Sequence, residues 1–559
     1  MALLHTREYQ MFPVLTPSQI ATAQRFASGD ARRFSPGAVI YQTGDRLVPL
    51  WLVIDGSMTV YRQNGLSGQT PITTHGTGQL SGEIDQLSGR PTLAKALAGP
   101  LGCTALPFDA AHLRALMIGS ADVGEIIMRA LILRRTALID AGAGSVLVGS
   151  AGTAALSRLQ GFLARNAYPY TVLDAANGGD GKALIDRLGI QDAEMPVMVC
   201  PNGTILRNPS DAEAARHLGM TPDPTAGKIY DVAVVGAGPA GLATAVYAAS
   251  EGLGVIVFEE RFVGGQAGAS SRIENYLGFP AGISGQELAE RASRQALKFG
   301  AELLLPVAIE SLSASYGAIA PLSLMLAGGT SVYARTVVIA SGARYRRPGI
   351  AGLKSFEDGS VSYWASPIEA KLCSGQDVVL VGGGNSAGQA VAFLAPQVRR
   401  LHLVVRRPLE ETMSQYLIDR IHALPNVVLH VHCEVVALEG DAPHRLASAV
   451  IRSQDASSET RLPLHHLFLF VGADPNSGWL PKDVITDSRG FIVTGQPFGE
   501  GAKPARAALP LETSLPNVFA IGDVRSSSTK RVAAAVGEGA AVVSQIHTAL
   551  RDEGTRHQG

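Results

Sequence analysis

Two glycine-rich segments are the residues whose types and spacing best indicate chemistry. Each follows an apolar run typical of a buried strand and precedes a helical pattern: Asp231–Val235 leads into Gly236-Ala237-Gly238-Pro239-Ala240-Gly241, and Asp377–Val381 leads into Gly382-Gly383-Gly384-Asn385-Ser386-Ala387. Glycines at this spacing let the backbone turn tightly and approach a pyrophosphate, whose charge rests on amides at the helix N-terminus. The sequence therefore predicts two dinucleotide sites.

The two units differ where their second strand ends. Val255–Phe258 is followed by Glu259, whereas Leu401–Val405 is followed by Arg406 and Arg407, at nearly the same distance from the first glycine of each unit. An acid here binds free ribose hydroxyls, and an arginine accommodates a 2′-phosphate. We therefore expect FAD at the first site and NADPH at the second. Solvated charge after a strand is the other interpretation of the two arginines.

Length and composition limit the class of protein. A chain of 559 residues is long enough for three or four domains of about 150 residues each. The net charge of −1 gives no electrostatic reason to expect nucleic acid or an anionic membrane as a partner. We find no basic leader followed by an apolar run, and no apolar run near the ~18 residues of a membrane span. We expect a cytoplasmic protein without a membrane segment.

The cysteines are few and widely spaced. Cys103, Cys200, Cys373 and Cys433 stand singly, so none forms a pair at redox or metal-binding spacing. We therefore expect no metal site.

Small and flexible residues mark candidate linkers at 141–144 and 221–227. Before the first linker, short β-rich runs at Ala38–Gln42, Trp51–Ile54 and Met58–Arg62 alternate with glycine turns and end in a helical stretch, Val123–Ile139, which predicts a small β-roll capped by a helix. Between the linkers the pattern is β-α-β-α-β, typical of a small α/β layer.

From Asp231 to about Val543 the chain resembles the low-molecular-weight thioredoxin reductase family. The matching blocks follow one another in the family's order: the first glycine segment, Gly264-Gly265-Gln266, Ile273–Tyr276, Gly278-Phe279-Pro280, Gln295–Ala301, Ile339–Ala343, Gly382–Ala387 and Phe519–Val524. The resemblance implies an FAD domain interrupted by an inserted NADPH domain of about 120 residues.

The resemblance also implies a role for each matched position. Gly236, Gly238 and Gly241 would line the FAD pyrophosphate, Glu259 the adenosine ribose, Gln266 and Asn275 the flavin, and Asp523 the ribityl or phosphate region. Arg531 and Val532 begin the last helix, whose positive end can stabilise negative charge on the reduced flavin. Gly382, Gly384, Asn385 and Ser386 would hold NADPH together with the two arginines. No side chain is assigned a catalytic role, because the flavin carries the chemistry.

The family's dithiol is missing. Thioredoxin reductases of this kind carry Cys-x-x-Cys shortly before the second glycine segment, and here those two positions fall near Ala365 and Ile368, in a stretch with Trp364 and Pro367. Neither residue can do thiol chemistry. Cys373 follows alone, either as a structural cysteine or as a one-thiol relay. A long-range pair of Cys200 with Cys373 also stays open.

The two N-terminal pieces carry weaker resemblances. The middle piece resembles a thioredoxin or glutaredoxin fold, with Met195-Pro196-Val197 at the cis-proline position, yet Val148–Thr153 holds no cysteine where Cys-x-x-Cys should lie, so we expect docking rather than disulfide exchange. The first piece resembles cyclic-nucleotide-binding domains at Gly82-Glu83-Ile84. Arg90 comes early, and the family's arginine position is nearer Thr92-Leu93. A nucleotide site and a retained fold without ligand are both open.

Together these features predict a multidomain chain with a cyclic-nucleotide-binding-like β-roll, a thioredoxin-like α/β domain and two Rossmann-like domains. The expected bounds are 1–142, 143–225, 226–349 with 473–555 for FAD, and 350–472 for NADPH. We expect a homodimeric oxidoreductase that passes hydride from NADPH to FAD and on to an unidentified acceptor, such as a small redox protein. The alternatives are a dithiol-free reductase of ferredoxin, flavodoxin, a quinone or oxygen, and a flavoprotein sensor of NADPH or a cyclic nucleotide.

Overall fold

The computed structural model describes residues 7–64, 68–141, 144–150, 153–175, 179–221, 224, 227–313, 321–357, 359–365, 367–440, 445–455, 458–497 and 506–556. Parts of both predicted linkers, namely residues 142, 143, 222, 223, 225 and 226, lie outside the described residues, as do Ala151 and Gly152 of the middle piece. The domain bounds given above therefore stay a prediction.

The N-terminal segment is an antiparallel sheet with helices at both ends. Its strands are β1 (Arg32–Phe34), β2 (Val39–Tyr41), β3 (Leu50–Asn64), β4 (Gly68–His75) and β5 (Ala94–Phe108), and its helices are α1 (Glu8–Met11), α2 (Pro17–Gln24), α3 (Ala110–Gly119) and α4 (Ala121–Asp140). The strand order is β1-β5-β3-β4, and β2 also pairs with β5. The predicted helix at 123–139 is thus present as α4.

One prediction for this segment is wrong. The runs Trp51–Ile54 and Met58–Arg62 are not two strands separated by a turn but parts of the single strand β3. Gly56 lies between them with φ of +74°, and the pairing of β3 with β5 shifts register on both sides of it. A glycine in this conformation makes a bulge, so the strand bends there and continues.

The middle segment is a four-stranded sheet flanked by helices. Its elements are β6 (Ser145–Gly149), α5 (Ala154–Arg165), β7 (Tyr170–Asp174), α6 (Asp180–Leu188), β8 (Val197–Val199), β9 (Ile205–Arg207) and α7 (Asp211–His217). The order is β7-β6-β8-β9, with β6 parallel to β7 and antiparallel to β8. The sequence pattern missed β9 and α7, and the Met195-Pro196 peptide bond is cis as expected.

The larger sheet of the C-terminal segment is built around a parallel core. Its elements are β10 (Ile229–Val235), α8 (Pro239–Ser250), β11 (Val255–Phe258), α9 (Gly265–Gly268), α10 (Gly285–Lys298), β12 (Glu302–Leu304), β13 (Ile309–Ser313), β14 (Leu322–Leu326), β15 (Ser331–Ile339), β26 (Val518–Ala520) and α14 (Val532–Arg556). The order β12-β11-β10-β15 is parallel, β26 extends it alongside β15, and the β13-β14 hairpin adds antiparallel strands. Buried aliphatic residues fill both faces, as a parallel sheet requires.

A second parallel sheet is inserted between β15 and β26. Its elements are β16 (Ala343–Tyr345), β17 (Val361–Ser362), α11 (Pro367–Leu372), β18 (Asp377–Val381), α12 (Asn385–Leu394), β19 (Arg400–Val404), α13 (Gln415–His422), β20 (Val427–His430), β21 (Cys433–Glu439), β22 (Ser448–Ser453), β23 (Glu459–Pro463), β24 (His466–Leu469) and β25 (Ala473–Pro475). The sheet order is β17-β24-β18-β19-β20, β21–β23 form an antiparallel sheet, and β16 pairs with β25 where the chain enters and leaves. Within the described part of the chain, no helix is both long and apolar enough to cross a membrane.

Candidate functional site: two glycine loops and the segments packed on them

The first glycine loop connects the end of β10 to the start of α8. Gly236 has φ of +110°, and a Cβ on it would collide with the carbonyl oxygen of Ala340. A Cβ on Gly241 would collide with the carbonyl oxygen of Gly236, so this glycine lets the helix lie directly against the loop. Gly238 differs, because a Cβ there would meet nothing within 4 Å. Two glycines are therefore required by packing, and the third faces open space at a helix N-terminus.

That open space is what a bound pyrophosphate requires. Gly238 is the residue before the first turn of α8, so the unpaired amides of that turn face the same space and carry the positive end of the helix dipole. The residues present fit the group that the sequence predicts there, because a Cβ at Gly238 would fill volume that no other atom occupies.

Glu259 fixes the loop from the neighbouring strand. Its carboxylate accepts one hydrogen bond from the backbone N–H of Ala237 at 2.8 Å and one from the N–H of Arg261 at 3.0 Å. Burial raises the pKa of this carboxyl group. The acid that follows β11 is thus in contact with the glycine loop, where the ribose of an adenosine would lie.

Two further predicted segments pack on the same loop. The Gly264 N–H donates to the carbonyl of Ala237 at 2.8 Å, and a Cβ on Gly265 would lie 3.3 Å from the Cα of Gly238. Gln266, next in the chain, donates its side-chain amide to the carbonyl of Ala343. A Cβ on Gly522, beside Asp523, would lie 3.0 Å from the Cβ of Ala240.

The last predicted FAD positions lie in three places. Burial raises the pKa of Asp523, and its backbone carbonyl accepts a hydrogen bond from the Lys530 ammonium. Arg531 and Val532 lie at the N-terminus of α14, which packs against α8.

Asn275 is exposed and adjoins Glu274, which forms an ion pair with Arg420 of the inserted segment at 2.6 Å. The structure shows no contact that ties Asn275 to the glycine loop among the described residues.

The second glycine loop repeats the first. Gly382 has φ of +144°, and a Cβ on it would lie 2.5 Å from the carbonyl oxygen of Phe470, whereas a Cβ on Gly384 would meet nothing within 4 Å. The side-chain oxygen of Asn385 accepts from the Ser414 N–H at 2.7 Å, and Ser386 is exposed in the first turn of α12. Asn385 therefore fastens the loop, while Gly384 and Ser386 face the space that NADPH would occupy.

Arg406 and Arg407 follow β19 and are both exposed. Arg407 lies 3.7 Å from a carboxylate oxygen of Glu411, and its side chain is 75% exposed. Arg406 forms no ion pair within the described part of the chain. An exposed ion pair of this kind stabilises by only about 0–1 kcal/mol, so neither guanidinium is held strongly by a protein partner.

We call residues 364–368, where the family's dithiol would lie, the apolar loop, because Trp364, Ala365, Pro367 and Ile368 are apolar residues. Ala365 is buried in the core of the inserted segment. Ser366 and the side chains of Pro367 and Ile368 lie outside the described residues. Trp364 donates its indole N–H to Glu369 at 2.8 Å. The described part of this loop therefore holds packing and hydrogen-bonding groups and offers no thiol.

Arg165, at the end of α5, was missed by sequence reasoning. Its guanidinium lies 4.7 Å from the ring centroid of Trp364 and 4.5 Å from that of Phe262, just after Glu259. The neighbouring Asn166 donates to the carbonyl of Arg261 at 3.3 Å, and Gln286 donates to the carbonyl of Ala164 at 2.9 Å. The middle segment thus docks on both Rossmann-like segments. A contact between residues so far apart in the chain leaves no local signal in the sequence.

All four cysteines are described, and all are free. Burial raises the pKa of Cys103, Cys200 and Cys373 to about 11 in each case, so these thiols stay protonated near neutral pH. Cys200 belongs to the core of the middle segment and Cys373 to the core of the inserted segment. The long-range pair of Cys200 with Cys373 is therefore absent from this structure. Cys433 is half-buried, and its thiol donates to the carbonyl of Val431 at 3.3 Å.

Residues 230–539 match the family described as pyridine nucleotide-disulphide oxidoreductase. The chain belongs to this family. It is 31% identical over 350 residues to NADPH-dependent thioredoxin reductase 3 of Arabidopsis thaliana, an alignment covering 60% of this chain and 63% of that protein. It is 30% identical over 322 residues to a thioredoxin reductase of Mycolicibacterium smegmatis, covering 57% and 95%. The structure of T. acidophilum thioredoxin reductase superposes with a TM-score of 0.51 at 26% identity, covering 57% and 98%.

Membership confirms the predicted enzyme class and cofactors. This member of the pyridine nucleotide-disulphide oxidoreductase family is an NADPH-dependent FAD oxidoreductase of the thioredoxin reductase kind. Residues 1–229 lie outside the family match, so the match does not test the two N-terminal resemblances. The roles of individual site residues also stay predictions.

We predict that Gly238→Val gives a flavin-poor protein, because its side chain would occupy the space that the pyrophosphate needs. The unmutated chain should carry about one FAD, measured by the absorbance ratio at flavin and protein wavelengths. Gly384→Val is the matched control, since the same change in the other loop should leave flavin bound and abolish NADPH oxidation. Stoichiometric flavin in folded Gly238→Val would show that the first loop does not hold FAD.

We predict a preference for NADPH over NADH that depends on Arg406 and Arg407. Replacing both with alanine should cost about 2–4 kcal/mol of discrimination, the scale of charge-assisted hydrogen bonds to a phosphate, measured as the ratio of kcat/KM for the two nucleotides. Arg399 and Arg400, at the opposite end of β19, give a control double variant with the same loss of charge. Equal kcat/KM values in the unmutated enzyme would contradict the assignment.

Proposed function

We propose that the chain passes electrons from NADPH through FAD directly to an external acceptor, without a disulfide of its own. When bound, FAD supplies the chemistry that accepts a hydride and releases its two electrons. The chain's residues hold the two cofactors at the glycine loops and determine how electrons can pass from the flavin to an external acceptor. The single observation that carries the proposal is the state of the cysteines, which are free and of which three are buried in separate cores.

Thiol chemistry would need a thiolate close to a second sulfur. A disulfide requires Cβ atoms within about 4.5 Å of each other, and the family's first cysteine position is taken by the buried Ala365. Burial holds the Cys373 thiol, the nearest in sequence to that loop, in its protonated form. An acceptor that takes electrons at the flavin, such as a quinone, a ferredoxin or a flavodoxin, fits these facts better than a disulfide.

We propose that the middle segment is a thioredoxin-like domain that serves as a docking unit. The order β7-β6-β8-β9 and the position of Pro196 directly before β8 support the likeness. The described part of the turn after β6 carries Ser150 and Thr153 and no cysteine. Arg165 instead fixes this segment to Phe262 and Trp364. The middle segment would then hold the apolar loop in position against the FAD segment.

We propose that the N-terminal segment keeps a cyclic-nucleotide-binding-like β-roll but does not take a cyclic nucleotide in the usual way. Thr92 lies near the position of the family's phosphate-binding arginine, and its hydroxyl donates to the carbonyl of Gln42 at 2.6 Å. Glu83 lies 3.2 Å from Arg135, so the ribose-binding acid already has a partner. The homodimer and the cytoplasmic location also stay proposals, the first of them measurable by analytical ultracentrifugation.

We predict that electron transfer survives removal of every cysteine. Alanine should replace the three buried cysteines, because a buried serine hydroxyl without a partner costs stability, and serine should replace Cys433. NADPH oxidation with ferricyanide or a quinone should stay within about twofold of the unmutated enzyme, since no thiol lies on the proposed route. The assay adds thioredoxin with insulin as a third acceptor. Thioredoxin-dependent activity that disappears without Cys200 or Cys373 would overturn direct transfer.

We predict that Arg165→Ala loosens the apolar loop. Loss of the guanidinium between the two rings should expose Trp364 and shift tryptophan emission to longer wavelength, with faster proteolysis near residue 365. Arg158→Ala is the matched control, because Arg158 lies two turns earlier on α5 and pairs with Asp211 inside the middle segment. Identical emission spectra for the Arg165 variant and the unmutated chain would show that the docking contact does not hold the loop.

A further inference from the structure

The N-terminal segment contains a partly open cavity of about 250 Å³ lined by residues of β3, β4 and α4. Most of its wall is apolar and includes Phe12, Val60, Ile72, Leu93 and Leu138. The polar part of the wall includes Tyr41, His75 and Arg134, together with the charged side chains of Arg62, Glu83, Asp85 and Arg90. A largely apolar cavity with a few converging polar groups is the usual form of a small-molecule site.

Arg134 has an unused donor at this cavity. The residue is only 7% exposed, its Nε donates to the carbonyl of Met11 at 2.9 Å, and one terminal nitrogen donates to the carbonyl of Gly82 at 2.8 Å. The other terminal nitrogen, Nη2, is buried and has no hydrogen-bond partner in the described part of the chain. Buried charged donors are almost always paired, so this nitrogen lacks a partner that a ligand can supply.

A second unpaired polar atom belongs to His75, which lines the same cavity. His75 is 2% exposed, and its Nδ1 has no partner among the described residues. Burial, and then the charge of Arg134, lower the pKa of His75 to about 3, so the imidazole is neutral. The ring of Phe12 lies 5.9 Å from that of His75 and 5.2 Å from the Arg134 guanidinium, which holds the three side chains together.

The acids on the cavity wall do not neutralise Arg134. Asp85 lies 2.8 Å from Arg135 and 3.7 Å from Arg90, and Glu83 lies 3.2 Å from Arg135. The two carboxylates are therefore paired with Arg90 and Arg135, and Arg134 forms no ion pair among the described residues. Arg62, which also lines the cavity, forms none there either and donates to the carbonyl of Ala141 at 3.4 Å. The arginines of this cluster therefore outnumber its carboxylates, and a bound anion would balance the excess positive charge.

We propose that this cavity binds a small organic acid with a single ring or a branched apolar body, whose carboxylate is held by Arg134 and His75. A cavity of about 150 Å³ accommodates benzene, so 250 Å³ suits one ring with its acid group and is small for a purine nucleotide. Arg134 Nη2, and His75 Nδ1 in the tautomer that carries its hydrogen there, can each donate to one oxygen of a carboxylate. The proposal does not depend on the flavin site or its acceptor.

The test uses benzoate as the probe and the full-length flavoprotein, with binding measured by calorimetry and by saturation-transfer NMR. Benzamide has the same shape without the charge, and we expect it to bind at least tenfold more weakly. Arg134→Gln should weaken benzoate binding at least tenfold. Arg129→Gln is the matched control on the same helix, because Arg129 is exposed and paired with Glu125, and it should bind benzoate as the unmutated chain does.

A second variant protects the test against misfolding. Ala137→Phe, one turn after Arg134 on α4, places a ring in the cavity and leaves the guanidinium and its partners in place. We expect it to abolish benzoate binding while flavin content and the circular dichroism spectrum stay unchanged. If Arg134→Gln does not fold, retained binding in Ala137→Phe overturns the proposal on its own.

Four further results would overturn the proposed acid site or its assignment. The flavin absorbance spectrum should not change on adding benzoate, and a change that tracks binding would place benzoate at the cofactor site and overturn the proposal. Equal affinity for benzamide would overturn the role of charge. Cyclic AMP that displaces benzoate with higher affinity would assign the cavity to a nucleotide instead. Absence of benzoate binding to the unmutated chain would overturn the site.

Discussion

The close approach of α8 to the end of β10 is the constraint on which the flavin module depends. No side chain fits at Gly236 or Gly241, so the backbone of the helix rests on the backbone of the loop. This contact puts the amides of the first helical turn at the carboxyl end of the parallel sheet, where ligands bind in folds of this kind. Glu259, Gly264–Gly265 and Gly522 then pack on that loop and on the start of α8, so residues from three other parts of the chain meet there.

The inserted module repeats this constraint only at Gly382, because Ala387 stands where the first loop has Gly241. Two side-chain contacts between described residues connect this module to the other segments. Arg420 and Glu274 form an ion pair that is partly exposed and is worth about 0–1 kcal/mol. The guanidinium of Arg165 between two rings is more protected, and each cation–π contact of this kind contributes about 0.5–2 kcal/mol. The contact through the middle segment is therefore the stronger of the two, and it acts on the loop where related enzymes carry their dithiol.

Local patterns predicted the two glycine loops and the strands before them, because a tight turn beside an apolar run involves neighbours in the chain. The failures involve distant residues or a subtle choice of backbone. Gly56 signalled a turn by composition, yet pairing of β3 with β5 on both sides of it made a bulge more favourable. Arg165 and Arg134 look like ordinary helical arginines in the sequence. The role of Arg165 depends on Phe262 and Trp364, and that of Arg134 depends on the cavity of the N-terminal segment.

Two consecutive arginines on α4 have different partners, and only the second connects the N-terminal segment to the rest of the chain. Arg134 is directed to the carbonyls of Met11 and Gly82 and to the cavity, all within its own segment. Arg135 pairs with Glu83 and Asp85 and also donates to the carbonyl of Ala167, while its guanidinium lies 5.5 Å from the ring centroid of Tyr168. Ala167 lies just beyond Arg165, whose guanidinium contacts Trp364. Arg135 therefore fixes the end of α5 to the N-terminal segment, and Arg165 fixes the same end of α5 to the loop at Trp364.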